Sequence, residues 1–94
     1  ETGVRFTQAY SHTVCCPARA LLMTGRHPQR SGVVHWTQGD RKGSDSQNRI
    51  LAASEFTIAE VLKKAGYATA IFGKWHLGHH NKFLPLQHGF YQYF

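Results

Sequence analysis

One juncture constrains the fold of this chain more than any other feature: a helix-start signal that runs, without a spacer, into a segment built for a strand. Thr57-Ile58-Ala59-Glu60 has the form of a capping box, with Thr57 as N-cap and Glu60 three residues on. In that pattern the hydroxyl accepts from a first-turn backbone N–H, and the carboxylate reaches back to the N–H of the cap. Ile58, Val61, Leu62 and Ala65 then recur at helical spacing, and Gly66 ends the helix. Tyr67-Ala68-Thr69-Ala70-Ile71-Phe72 follows at once. Its mostly apolar run predicts a strand buried on both faces.

The first part of the chain repeats the pairing in the opposite order. Val4 to Tyr10 alternates apolar and polar side chains, which predicts a half-buried strand. Pro17 fits the first turn of a helix, where its missing N–H costs nothing. Ala18-Arg19-Ala20-Leu21-Leu22-Met23 are strong helix formers, and Gly25 is a C-terminal stop. Cys15 and Cys16 therefore belong at the N-terminal mouth of a short buried helix. Strand, helix, helix, strand predicts an α/β protein. Gly73 to His80 leaves the last strand at its C-terminal end, where open α/β sheets place their ligand chemistry. Between the two halves, residues 27–56 form a polar, Gly/Ser-rich connection, with Val33 to Trp36 as a short ordered stretch. A loop of that length is usually functional, and a specificity or insertion role is expected of it.

Composition narrows the partners. A chain of 94 residues supports one small domain, and its 41% hydrophobic and 17% charged residues exclude wholesale disorder. No apolar run approaches the roughly eighteen residues of a membrane span. Eleven Lys and Arg against five Asp and Glu give a net charge of +6, which favours anionic partners: nucleic acid, acidic lipid, or a phosphate or sulfate ester. The basic residues form no run of five, and the aromatic residues fall mainly inside apolar segments, unlike a single-strand binder. Two adjacent cysteines do not make an extracellular disulfide framework.

Two constellations could carry chemistry. The first is Cys15-Cys16-Pro17-Ala18-Arg19, continuing through Leu22-Met23-Thr24-Gly25-Arg26. A helix N-terminus presents free N–H groups and the positive end of the macrodipole, and Arg19 in the same turn adds a guanidinium fork. A phosphatase-type C-x5-R spacing fails, because the sixth residue after Cys15 is Leu21 and after Cys16 is Leu22. The second is Gly73-Lys74-Trp75-His76-Leu77-Gly78-His79-His80. Lys74 and His76, two residues apart on an extended segment, face one side. A fixed ammonium beside an imidazole fits an anionic ester, the one screening charge and the other moving a proton or holding a hydroxyl. A protein-only zinc site at His76, His79 and His80 is disfavoured: no carboxylate stands nearby, and adjacent cysteines do not comfortably chelate one ion.

Taken together, the two segments resemble the sulfatase family. Cys15 to Gly25 is similar to the first sulfatase signature, C-x-P-x-R followed after an apolar run by T-G-R, and Gly66 to His76 is similar to the second. Gly3-Val4-Arg5-Phe6-Thr7 and Gly89-Phe90 agree on the flanks, so the resemblance covers nearly all of the chain outside the polar loop. It implies a partial α/β/α sandwich of the alkaline-phosphatase-like type and a sulfuric ester hydrolase of arylsulfatase character. It implies that Cys15 is oxidised by a formylglycine-generating enzyme to Cα-formylglycine, whose hydrate attacks sulfur, and that a divalent cation, usually calcium, is held in part by that residue. By the same carry-over Arg19 steadies the hydrate, Lys74 bridges to the formylglycine and sulfate oxygens, and His76 hydrogen-bonds a formylglycine hydroxyl.

The chain departs from the family pattern in three places. Ala18 stands where Ser is commonest, and Cys16 is unusual at the variable position. Its Asp40 and Asp45 lie in the polar loop and match none of the family's metal-binding acids. The expectation is therefore a fragment of a longer enzyme, inactive alone, from a family whose members work in periplasmic, secreted or lysosomal settings. A phosphonate monoester or phosphodiester hydrolase of the same superfamily is the enzymatic alternative, and a basic polyanion-binding module the non-enzymatic one.

Overall fold

Residues 2–36 and 50–94 are described by the computed structural model. Among them, three α-helices and a two-stranded parallel sheet surround one apolar cluster. Helix α1, Cys15–Thr24, begins after Val14, which is extended and offers no side-chain cap. Pro17 sits in its first turn, and the ladder opens with Ala18 N–H donating to the Val14 carbonyl at 3.1 Å. The helix stops where Gly25 turns left-handed (φ +66°) and returns its N–H to the Leu21 carbonyl. Helix α2, Pro28–Ser31, is a single turn inside the stretch read as loop.

Helix α3, Ile58–Lys64, carries the expected capping box: Thr57 accepts from Glu60 N–H at 3.3 Å, and Glu60 accepts from Thr57 N–H at 2.7 Å. The Thr57 hydroxyl also donates to the His88 carbonyl at 2.7 Å, tying the cap to the end of the chain. Gly89 is left-handed there (φ +90°), and a Cβ on it would stand 2.5 Å from the Glu60 nitrogen. Only glycine allows that approach.

The strands are shorter than expected. Strand β1, Ala70–Ile71, pairs in parallel with β2, Gln92–Tyr93, in the register Ala70–Gln92 and Ile71–Tyr93. Further backbone bonds, Tyr91 N–H to Thr69 and Gly73 N–H to Phe94, extend the pairing at both ends. The connection between them contains two 3-10 turns, Asn81–Phe83 and Pro85–His88. The core consists of Cys16, Ala20, Val33, Leu51, Ile71, Trp75 and Leu77, with Cys15, Met23 and Phe90 packed against it.

Three expectations are corrected. Val4 to Tyr10 forms no strand: Val4, Phe6 and Tyr10 are exposed, because no described segment pairs with this stretch. The segment Tyr67 to Phe72 is not buried on both faces. Thr69 and Ile71 are buried while Ala68, Ala70 and Phe72 are exposed, an alternation that one covered face produces. The apolar stripe of α3 is exposed too, at Ile58, Val61 and Leu62, and the helix buries only Ala59. Asp40 and Asp45 lie outside the described residues.

Candidate functional site

The first turn of α1 meets the segment following β1. Trp75 (3% exposed) and Leu77 (fully buried) anchor that segment from below, and the Trp75 indole donates to the Phe83 carbonyl at 2.8 Å. His76 stands between these two anchors. Its backbone is left-handed (φ +60°), which no other non-glycine described residue adopts. Such a conformation costs on the order of 1–3 kcal/mol and persists only where neighbours fix it. Here the flanking core residues do so.

The tie between the segments is Arg19. Its Nε donates to the Trp75 carbonyl at 2.8 Å and its Nη2 to the Lys74 carbonyl. One guanidinium from the helix thus holds the two successive carbonyls that lead into His76. Across the same gap, a ligand atom from each of Cys15, Cys16 and His76 lies within 4.8 Å of the other two. The sequence reading disfavoured both cysteines addressing one point. In the first helical turn, however, Cys16 points into the core (1% exposed) and Cys15 is half-buried at its rim, and both sulfurs reach the His76 ring. His79 and His80 are not members of this cluster.

Electrostatics agree with the crowding. Burial, then Lys74, His79 and Arg19, hold the His76 imidazole below its ordinary range, so it is neutral at pH 7. Burial first, and the neighbouring Cys15 thiol next, push Cys16 up to about 11, against the smaller opposing pull of Lys74 and Arg19. Cys16 is therefore a protonated thiol, and it donates to the Trp36 carbonyl at 3.3 Å. The His76 Nδ1 is buried with no hydrogen-bond partner among the described residues. Of the four residues singled out in the sequence, Cys15 and His76 come together here and Arg19 bonds the backbone beside His76, whereas the Lys74 side chain is exposed and acts on the cluster through its charge. The sequence reading missed Trp75, whose carbonyl and ring make it the anchor of the segment; its place between Lys74 and His76 was the available signal.

The second half of the first motif is structural. The Thr24 hydroxyl donates to the Ala20 carbonyl at 2.7 Å and accepts from Arg26 N–H at 3.2 Å. Arg26 pairs with Glu55 and donates to the Arg30 carbonyl at 2.9 Å. A groove of about 540 Å³ opens between this end of α1 and the start of α3, and none of Cys15, Arg19, Lys74 and His76 lines it.

The family model described as Sulfatase matches residues 1–94, the whole chain. The chain belongs to the sulfatase family. Among curated relatives, N-acetylgalactosamine-6-sulfatase of Mus musculus is 43% identical over 96 residues, covering 98% of this chain and 18% of the relative. Arylsulfatase G of Rattus norvegicus is 44% identical over 93 residues, covering 98% of this chain and 16% of the relative. The chain thus spans less than a fifth of the length of these sulfatases. The crystal structure of Ps i-CgsB in complex with k-i-k-neocarrahexaose superposes with a TM-score of 0.71 at 30% identity, covering 84% of this chain and 16% of that one. The alkaline-phosphatase-like α/β architecture agrees with the parallel pair and flanking helices seen here.

Sulfatases generally use a formylglycine and a divalent cation. Position 15 fits the first: it heads a helix, at the rim of the core, facing cationic groups. The donors around it do not fit calcium, which takes about six to eight oxygen ligands. Among the described residues the carboxylates are engaged elsewhere, Glu55 with Arg26 and Glu60 in the capping box. Among them, too, no helix is long and apolar enough to cross a membrane.

Proposed function

We propose that this sulfatase chain contributes the nucleophile and its immediate support to a sulfuric ester hydrolase whose remaining parts, the calcium ligands included, lie in a longer protein. The observation that carries the proposal is the convergence of Cys15 with His76, and of Arg19 with the backbone of Lys74 and Trp75, across more than fifty residues of sequence. Cys15 is the residue converted to formylglycine. When installed, that group would supply, as its hydrate, one hydroxyl to attack sulfur and displace the alcohol, and a second to release sulfate as the aldehyde re-forms.

The chain's own residues set the conditions. The N-terminal N–H groups of α1 favour negative charge at position 15, where the ester's sulfate oxygens approach. Lys74 screens those oxygens as a point charge. His76, held neutral, accepts from or donates to a hydroxyl at position 15 without adding charge. Arg19 orients both by fixing the carbonyls of Lys74 and Trp75.

The test uses the full-length protein coexpressed with a formylglycine-generating enzyme. The expected peptide mass at Cys15 is that of the aldehyde, with hydrolysis of aryl sulfates; the name N-acetylgalactosamine-6-sulfatase makes a sugar sulfate the second substrate to assay. Cys15→Ala should abolish turnover. Full activity with an intact thiol on every copy would overturn the reading, and preferential turnover of aryl phosphonates would reassign the substrate.

A further inference from the structure

We propose that, while position 15 is still a cysteine, the thiolates of Cys15 and Cys16 and the imidazole of His76 bind one zinc-class divalent cation. The three ligand atoms already lie within 4.8 Å of one another. Around tetrahedral zinc, with sulfur at about 2.3 Å and nitrogen at about 2.0–2.1 Å, such atoms stand roughly 3.5–3.8 Å apart. Side-chain rotation of about 1 Å closes the difference, with the backbone kept where Arg19 and the core hold it.

The donor chemistry points the same way. Two sulfurs and an imidazole select zinc and similar soft or borderline ions over calcium or magnesium. The buried Nδ1 of His76 has no other partner among the described residues, and coordination by either ring nitrogen gives this strained residue a fixed role. Charge also closes. Binding releases the two thiol protons to solvent, and two thiolates neutralise the dication, so Lys74 and Arg19 face a neutral complex. The Cys16 sulfur gives up its bond to the Trp36 carbonyl in exchange. Three protein ligands leave the fourth position open to solvent.

Cys16 is what makes the site possible, because it supplies the second sulfur beside the one destined for oxidation. Formylglycine has no sulfur and cannot form the site, so the site belongs to folded protein that still carries the thiol at position 15. The proposal concerns the thiol form and stands or falls apart from the hydrolase reading, which is tested by the mass at position 15 and by turnover.

The experiment takes full-length protein produced without the modifying enzyme, with both thiols verified by mass, under a non-thiol reductant. Titration with Co2+ should give a thiolate-to-cobalt charge-transfer band with tetrahedral visible bands, displaced by one equivalent of Zn2+. Cys16→Ser and His76→Ala should each weaken cobalt affinity by roughly tenfold or more. The absence of the band, or parent-like affinity in Cys16→Ser, overturns the proposal. Should a variant fail to fold, the unsubstituted protein still decides: Zn2+ should slow alkylation of the half-buried Cys15, and equal alkylation of Cys15 with and without zinc rejects the site.

Discussion

Arg19 serves the proposed site through backbone geometry. Both of its identified bonds end on backbone carbonyls, those of Lys74 and Trp75, so it acts by positioning the segment that presents Lys74 and His76. Lysine keeps the charge but loses the planar fork that spans two carbonyls. Arg19→Lys in the full-length protein should therefore lower kcat by about a hundredfold, as small misplacements of reacting groups do. KM should change much less, and steady-state kinetics on an aryl sulfate read the split; unchanged kcat would show that the fork is dispensable. His88 poses the opposite case, a titratable group with no evident chemistry. It is 1% exposed, its ring lies 5.5 Å from that of Trp75, and neither nitrogen has a partner among the described residues. Burial holds it below its ordinary range, with Glu60 pulling weakly the other way. The unfolded chain takes up a proton near pH 6.5 that the folded chain refuses, so stability falls as pH drops from about 6.5 toward the folded value. His88→Phe keeps a ring against Trp75 and removes the titration. Its urea midpoint should vary less than the parent's between about pH 7 and pH 5, and an unchanged slope would assign the pH dependence elsewhere.

At the scale of elements, the Thr57 cap joins two regions that are distant in the chain. Its hydroxyl serves the first turn of α3 and the carbonyl of His88 at once. Thr57→Ala removes a cap, which typically costs about 1 kcal/mol, and leaves a buried carbonyl unpaired, for about 1–3 kcal/mol more. Thr57→Ser should recover most of that loss in denaturant unfolding of the full-length protein; equal stability of Ala and Ser would mean the hydroxyl is idle. This helix start, the Gly25 stop and Pro17 in a first turn were legible because local backbone geometry demands those residue types. The pairing of β1 with β2 was not, since Gln92-Tyr93 carries no strand signal of its own and pairs through main-chain bonds. The site was half legible. Cys15, Lys74 and His76 stood out through the motifs, but the partners of Arg19 are carbonyls, which no side-chain pattern encodes. The meeting of two adjacent cysteines at one imidazole depends on where the first turn of α1 lies against the core.

Over the whole molecule, apolar side chains are unevenly covered. One cluster around Trp75, Leu77 and Leu51 is buried, whereas Val4 is 84%, Phe6 76% and Tyr10 90% exposed, and Ile58, Val61 and Leu62 leave one face of α3 open. The alternation at Val4 to Tyr10 and the helical spacing on α3 are patterns of elements that bury a face, yet among the described residues neither face is buried. Relatives more than five times as long have ample chain to cover both. Uncovered patches of this kind mark interaction surfaces or, when left bare, association. Small domains also have little stability in reserve, because they bury a smaller fraction of their surface. The 94 residues expressed alone should therefore bind a hydrophobic dye such as ANS strongly and unfold over a broad range of denaturant. The full-length protein should bind little dye and unfold cooperatively. If the isolated chain unfolds in one sharp transition, stays monomeric and binds no dye, its exposed faces need no cover, and the placement of this chain within a larger sulfatase core is wrong.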